Sequence, residues 1–515
     1  MPPPTRSADD PPTRTPSFVC EVALRVSHAQ ERTLLARLEA ARQVYNACLG
    51  EARKRGCLVR ESKAFQRARI LPRDDPQRKV LFAQARAQHF YSAYALHAYA
   101  KQFGTSWLGR HLDSLTIQKL ASRAYSAANG LLLGRAKRVR FKGKQQMDTV
   151  EGKTNTSGIR WCGDRVEWTG LVLPAQLDVR DPVQVHGLAC PVKYVRLVRR
   201  KLGERHCFYA QMICTGQPYQ KPQHRLGQGS VGLDLGPSTI AVVAETEAVL
   251  QPFCPEVAPD AKALRRLERH LDRQRRANNP ANYDERGQVR KGKKRWKVSM
   301  RQCKVQAQRR DLHRKLAATR KRSHGQLAHR VLALGDTFQL EKLSYRAWQI
   351  MYGRSVNRSA PGAFVSLLSR LAASAGGQVC ELNTQRAKLS QRCHCGVVVK
   401  KPLHQRWHVC ACGVSAQRDL YSAHLARFVN PETSVLKARQ AADAWRTGEP
   451  LLQAAYQHAI TNQRASGWHR PSSFGQPPVD TSQSASPAAG RPANAEVRDG
   501  VARRKRRARA RQRRR

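Results

Sequence analysis

The stretch that most constrains the fold is SVGLDLGPSTIAVVA, residues 230–244, because it sets one carboxylate inside an apolar run. Asp234 lies between Leu233 and Leu235, just before Gly236, and the apolar pattern returns in 239–244 after a Gly-Pro-Ser break. This pattern predicts two buried strands joined by a tight turn. An unpaired carboxylate in a buried strand is protonated or costs several kcal/mol, so the position asks for a cation, and a metal ion at a strand end supplies one. An Asp that caps the turn at Gly236-Pro237 accounts for the same residues, and the stretch alone leaves the two readings even.

Charge narrows the choice of partner. The 515 residues carry 93 Lys+Arg against 37 Asp+Glu, a formal net charge of +56. Only ten of those basic residues lie in the terminal tract 503–515, so the excess belongs to the body of the chain. A polyanion is the expected partner, and nucleic acid is the default. No apolar run approaches the roughly 18 residues of a membrane span, and MPPPTRSADDPPTRTP lacks the apolar core of a signal peptide. A cytoplasmic, nucleoid-associated protein is expected. Of 14 cysteines, ten are scattered singly and four are paired in one window. In a reducing compartment the first kind reads as small core residues and the second as metal ligands.

Taken in order, residues 1–17 read as a disordered, Pro-rich leader. Residues 18–26 alternate as a strand, and from Ser27 to Arg55 the apolar positions Leu34, Leu35, Leu38, Ala41, Val44, Tyr45 and Leu49 share one helical face, with Arg37, Arg42, Arg53 and Arg55 mostly elsewhere. Residues 64–135 continue helical. The run 137–144 then sets basic residues around one aromatic, which suits a phosphate backbone beside an exposed base. Arg138, Arg140, Phe141, Lys142 and Lys144 are the candidate contacts, with a ligand-free surface loop as the alternative. Residues 158–215 switch to period two, as in a small barrel or sheet, and 216–229 have linker composition.

Residues 261–330 hold 24 Lys/Arg and five acids. Helical patterns over 261–277 and 305–334, joined by a Lys-rich excursion at 278–294, make an electrostatic floor for a duplex, with Arg309, Arg310 and Arg314 as candidate contacts. Residues 336–343 alternate as a strand, Phe338 and Leu340 on one face and Gln339 and Glu341 on the other; Asp336, next to Gly335, suits a turn. A helix and a short strand follow over 361–382. Cys393-His394-Cys395-Gly396 and Cys410-Ala411-Cys412-Gly413 then flank fourteen residues counted from Cys395 to Cys410. Two such turns resemble a zinc ribbon in which Cys393, Cys395, Cys410 and Cys412 surround one Zn²⁺. The knuckles are C-x-C rather than the usual C-x-x-C, so His394 and His408 stand as alternative ligands. Asp419 falls in the first turn of a helix beginning near Gln417, where the helix dipole alone favours an acid. Beyond 430 the chain is Pro-, Ser-, Gln- and Ala-rich, with one short helix near 436–462 and a disordered, basic end over 466–515.

Hydrolysis of a phosphodiester by two Mg²⁺ ions about 4 Å apart needs several carboxylates from separate rigid elements, and Asp234, Glu341 and Asp419 offer them. The order GLDLG, a strand ending LEKL, a paired-cysteine ribbon and R-D-L at a helix start resembles the RuvC-like nuclease of the transposon-encoded TnpB family, relatives of compact type V CRISPR effectors. RQVYNACL, RVRFKGK and the strand pair VKYVRLVRR and FYAQMIC extend the likeness over roughly residues 18–430. The chain departs from many members in carrying Tyr421, not Asn, two residues after Asp419.

The resemblance implies a multidomain α/β protein: an RNase H-like (RuvC) core with an inserted zinc ribbon, and an N-terminal wedge-like β-barrel containing a helical recognition insertion. The implied divisions are a recognition lobe over 18–135, a wedge over 136–215, a linker over 216–229, a nuclease core over 230–385, the ribbon over 386–415, a third nuclease motif over 416–432 and a tail over 433–515. It implies Asp234, Glu341 and Asp419 as magnesium-binding catalytic acids, structural Zn²⁺, and guide RNA and double-stranded DNA as partners. The expected activity is an RNA-guided, Mg²⁺-dependent DNA endonuclease of a transposon. A catalytically idle RNA-guided DNA-binding protein and a strand-transferring transposase are the alternatives.

Overall fold

The computed structural model describes residues 16–402, 404–465 and 474–477; the leader and the basic tract at the end of the chain lie outside the described residues. Two sheets organise the chain. The first is antiparallel and seven-stranded, in the order β2-β6-β7-β1-β5-β4-β3. Its strands are β1 (Ser17–Leu24), β2 (Thr149–Glu151), β3 (Ile159–Cys162), β4 (Arg165–Trp168), β5 (Leu171–Gln176), β6 (Val192–Leu202) and β7 (Arg205–Thr215). Between β1 and β2 the chain leaves the sheet as a set of helices over 28–132 and returns.

The helix His28–Glu61 starts on a capping box, in which Ser27 and Gln30 each satisfy the other's backbone N–H, and ends at Ser62, which caps the next helix. Leu34, Leu38, Ala41, Val44, Cys48, Leu49 and Ala52, at spacings of three and four, bury against Val22, Trp168, Leu197 and Phe208 of the sheet. Arg37 falls on this buried face rather than on the solvated one. It is 7% exposed and donates to the carbonyls of Trp168 and, at 2.7 Å, Thr169. Four of the ten scattered cysteines, Cys20, Cys48, Cys214 and Cys254, are buried.

The second sheet has the order β10-β9-β8-β11-β12, with β8 (Ser230–Leu235), β9 (Thr239–Val243), β10 (Ala248–Pro252), β11 (Thr337–Glu341) and β12 (Gln378–Leu382). The first three strands pair antiparallel as a meander, and β11 and β12 then add in parallel to β8. Alternation decides its two faces. Val231, Leu233, Leu235, Phe338 and Leu340 bury against the helices Met300–Leu332 and Pro361–Ala375; Phe338 and Leu340 are nearly inaccessible, and burial of each contributes roughly 1.5–3 kcal/mol. Ala241, Val243 and Leu382 face the helix Arg418–Ala426. The basic helices Ala258–Ala277 and Met300–Leu332 pack together beyond the sheet.

The hairpin of β13 (Trp407–Val409) and β14 (Ser415–Gln417) sits between β12 and the helix Arg418–Ala426. The chain does not become a tail at 433. The helix Trp445–Ala465 buries Leu452, Ala455, Tyr456 and Ala459 in the same core as that hairpin and contacts β10. No helix among the described residues is long and apolar enough to cross a membrane.

Candidate functional site

Asp234 stands near the end of β8 and Glu341 at the end of β11. The two strands run parallel with Leu233 opposite Leu340, so the next residue on each brings Asp234 and Glu341 side by side on the same face. Both line one small cleft with Leu389 and Ser422. The helix carrying Asp419 reaches this face because Gly232 has no side chain: a Cβ there would meet the Ala423 carbonyl oxygen at 1.8 Å. Gln339, on the Glu341 face and 4% exposed, holds the other end of that helix. With its amide turned toward the helix, its nitrogen donates to the carbonyls of Ala426 at 2.7 Å and Val429 at 2.8 Å.

The three acids share an electrostatic environment. Burial pushes Asp234 well above the usual carboxylate range, Asp419 and Glu341 push it further, and Arg418 and Arg406 oppose them. Burial also raises Glu341, against the backbone N–H of Leu389 donating at 3.1 Å, and Asp419, against Arg418 and Arg406. The two arginines lie 3.5 and 3.8 Å from Asp419 Oδ1. Three carboxylates with partial compensation fit hard divalent cations, which take oxygen ligands. They do not form one compact cage: among the described residues, the only set of three or more His, Cys, Asp or Glu ligand atoms lying within 4.8 Å of one another is the four cysteines. Asp336 takes no part, accepting from the Thr337 hydroxyl at 2.9 Å.

In the ribbon, Cys393 and Cys412 sulfurs are 3.5 Å apart and those of Cys395 and Cys410 are 3.6 Å apart. A tetrahedron of sulfurs about 2.3 Å from a zinc ion has edges of about 3.8 Å, so the four thiols can hold structural Zn²⁺. The knuckles are built alike. Cys393 N–H donates to Val397 O and Gly396 N–H to Cys393 O; Cys410 N–H donates to Val414 O and Gly413 N–H to Cys410 O. Gly396 and Gly413 turn at φ 93 and 94, in the left-handed region where glycine alone is unstrained. The Cys412 backbone N–H is the main influence that draws the Cys410 thiol down to about 7. His394 and His408 fall outside the sulfur set; His408 lies over Tyr421 at 4.5 Å between centroids. Tyr421 turns away from the acids toward the ribbon, its hydroxyl accepting from His394 N–H at 3.0 Å and lying 3.3 Å from Cys393 Sγ.

Basic residues converge elsewhere. A cleft of about 840 Å³ between the first sheet and the helix Met300–Leu332 is lined by Lys144, Arg200, Lys201, His206, Arg310 and Arg314, among others. Of the sequence candidates, Lys144, Arg310 and Arg314 therefore meet. Lys142 is anchored through its backbone to Asn46, donating to Asn46 Oδ1 at 2.9 Å, and Phe141 receives Arg53 over its ring at 5.5 Å. Arg138 and Arg140 are exposed and do not line the cleft. Arg309 instead lines the groove between the two basic helices, 3.8 Å from Glu268. Sequence reasoning missed Arg200, Lys201 and His206, which read only as strand ends, although RRKLGERH is a basic hairpin tip. It also missed Arg406, for which no local signal exists.

No family model matches the chain, and no curated protein matches it. Among solved structures, a cryo-EM structure of a Cas12f1-sgRNA-target DNA complex is similar at a TM-score of 0.39 and 11% identity, covering 79% of this chain and 98% of that one. A CRISPR-Cas12f ternary complex is similar at 0.27 and 11%, covering 79% of this chain and 83% of that one.

Proposed function

We propose that the chain is an RNA-guided, metal-dependent DNA endonuclease of a transposon, with an RNase H-like core. One observation carries this reading: Asp234 and Glu341, from two parallel strands, line one cleft, and Asp419, on the helix packed against the Asp234 strand, lies near enough that its charge and that of Glu341 raise the Asp234 carboxyl. A meander of three strands followed by two parallel strands, in the order 3-2-1-4-5, supports the core assignment. The basic cleft and the charge of +56 support nucleic acid as substrate and partner, and the resemblance to TnpB supplies RNA as the guide.

In this reading Asp234, Glu341 and Asp419 would hold Mg²⁺, which would supply water activation and charge stabilisation for phosphodiester hydrolysis. The chain's own part is positional. Gly232 and Gln339 fix the helix that carries Asp419; Arg406 and Arg418 oppose the burial that raises that carboxyl. Tyr421 serves the ribbon, so its replacement of an Asn does not by itself favour an idle protein.

The test is to isolate the native protein with its bound RNA, sequence that RNA, and incubate the complex with matching DNA and Mg²⁺. Cut DNA ends are expected. Joined donor and target ends would favour strand transfer, and binding without cutting would favour the idle reading.

A further inference from the structure

A second cavity lies beside the basic cleft. The two share Lys144, Gln145, Arg199 and His206 as walls. Leu35, Leu38 and Met147 line the smaller cavity, which measures about 150 Å³; an aliphatic cavity of about that size takes up one benzene-sized ring. We propose that it receives a single unstacked pyrimidine base from a nucleic-acid strand whose phosphates follow the cleft. This rests on the nucleic-acid reading above.

Three observations carry the assignment. The first is charge. Lys201 and Arg310 carry no ion pair of their own among the described residues, so the cleft beside the cavity offers cations not already neutralised by the protein. The second is the combination of an apolar lining with a fixed polar rim, the usual build of a site for a flat heteroaromatic ligand. Glu39 is held by Arg42 at 2.7 Å and accepts from Gln145 N–H at 3.4 Å, and it presents an acceptor to a base amine or ring N–H. His206 is held by Glu31 at 2.8 Å, and Arg199 donates to Gln145 O and Asp148 Oδ1, both at 2.6 Å. These walls are set before any ligand arrives. The third is backbone conformation: Gln145 adopts φ 59, a left-handed geometry that costs a non-glycine residue energy and recurs at ligand sites. That turn brings residue 145 to the wall common to cleft and cavity, where its exposed amide offers both a donor and an acceptor.

Size selects the base. One ring fills the cavity, and a two-ring purine exceeds it. Guide RNA and either DNA strand present the same chemistry, so the experiment labels each in turn.

RNA recovered with the full-length protein is resynthesised with 2-aminopurine at successive positions, and matching DNA is labelled likewise on each strand. This probe brightens when its neighbour leaves the stack. We expect one position beside a pyrimidine to brighten on one strand, which identifies the source. Leu35→Phe, which fills the cavity, should abolish the brightening and weaken binding by roughly tenfold; a purine in place of that pyrimidine should do the same in the wild type. Leu35→Ala, which leaves the cavity open, should keep the brightening and shows that Leu35→Phe acts by filling. Probes that stay quenched at every position in a salt-sensitive complex, or brightening that survives Leu35→Phe, would overturn the cavity assignment alone. Absence of salt-sensitive binding to any of the three strands would overturn the nucleic-acid reading with it.

Discussion

Gly232 lies directly beneath Ala423, with 1.8 Å between a Cβ built on the glycine and the Ala423 carbonyl oxygen. The strand that carries Asp234 and the helix that carries Asp419 are thus in backbone contact, and the space between the two acids is set by the lack of one methyl group. Gly232→Ala should push the helix outward, lower stability by about 1–3 kcal/mol and reduce DNA cleavage more than it reduces DNA binding. Denaturant unfolding and paired binding and cleavage assays check this.

Asp234 itself should be destabilising while no metal is bound. Its folded-state pKa lies well above the ordinary value of 3.8, so the folded chain holds that proton more tightly than the unfolded one. Metal-free stability therefore falls as pH rises from about 3.8 through the raised value. In the presence of EDTA, Asp234→Asn should melt at a higher temperature than the wild type at neutral pH, and the gap should close as pH falls toward 3.8. Added Mg²⁺ should raise the melting temperature of the wild type more than that of the variant.

The Tyr421 hydroxyl ties the helix Arg418–Ala426 to the ribbon through His394 N–H and Cys393 Sγ. Tyr421→Phe should cost about 0.5–1.5 kcal/mol of stability and weaken zinc retention by roughly 10- to 100-fold, read by competition with a chromogenic chelator. Cys410→Ser should lose the zinc outright, as measured by elemental analysis of the native protein.

Lys201 and Arg310 face the same cleft from different parts of the chain. Replacing either by Ala should weaken nucleic-acid binding with little regard to sequence and lower the slope of log affinity against log salt by about one. Arg138→Ala, outside the cleft, should change that slope less.

The parts of this site that depend on one strand or one turn were legible in the sequence. Alternation alone put Gln339 and Glu341 opposite Phe338 and Leu340, and the two C-x-C-G knuckles announced a four-thiol cluster. What depends on packing between distant segments was not. Nothing near Gly232 announces Ala423, nearly two hundred residues away, and nothing near Arg406 announces Asp419. Arg37 looked solvated because its buried partners are carbonyls of Trp168 and Thr169, not acids. A helix near 436–462 was legible, and the structure has one at Trp445–Ala465, but Pro450 and a polar composition mask the buried spacing of Leu452, Ala455, Tyr456 and Ala459 that ties it to the core.

The central claim is that Asp234, Glu341 and Asp419 form one metal-dependent cutting site. Its most direct measurement is the rate at which the native protein–RNA complex cuts matching DNA as Mg²⁺ is titrated, for the wild type and for Asp234→Ala, Glu341→Ala and Asp419→Ala. The account predicts cutting that requires Mg²⁺ and falls at least about a hundredfold in each variant, with DNA binding retained. Cutting that persists in Asp234→Ala, or that proceeds equally in EDTA, would contradict it.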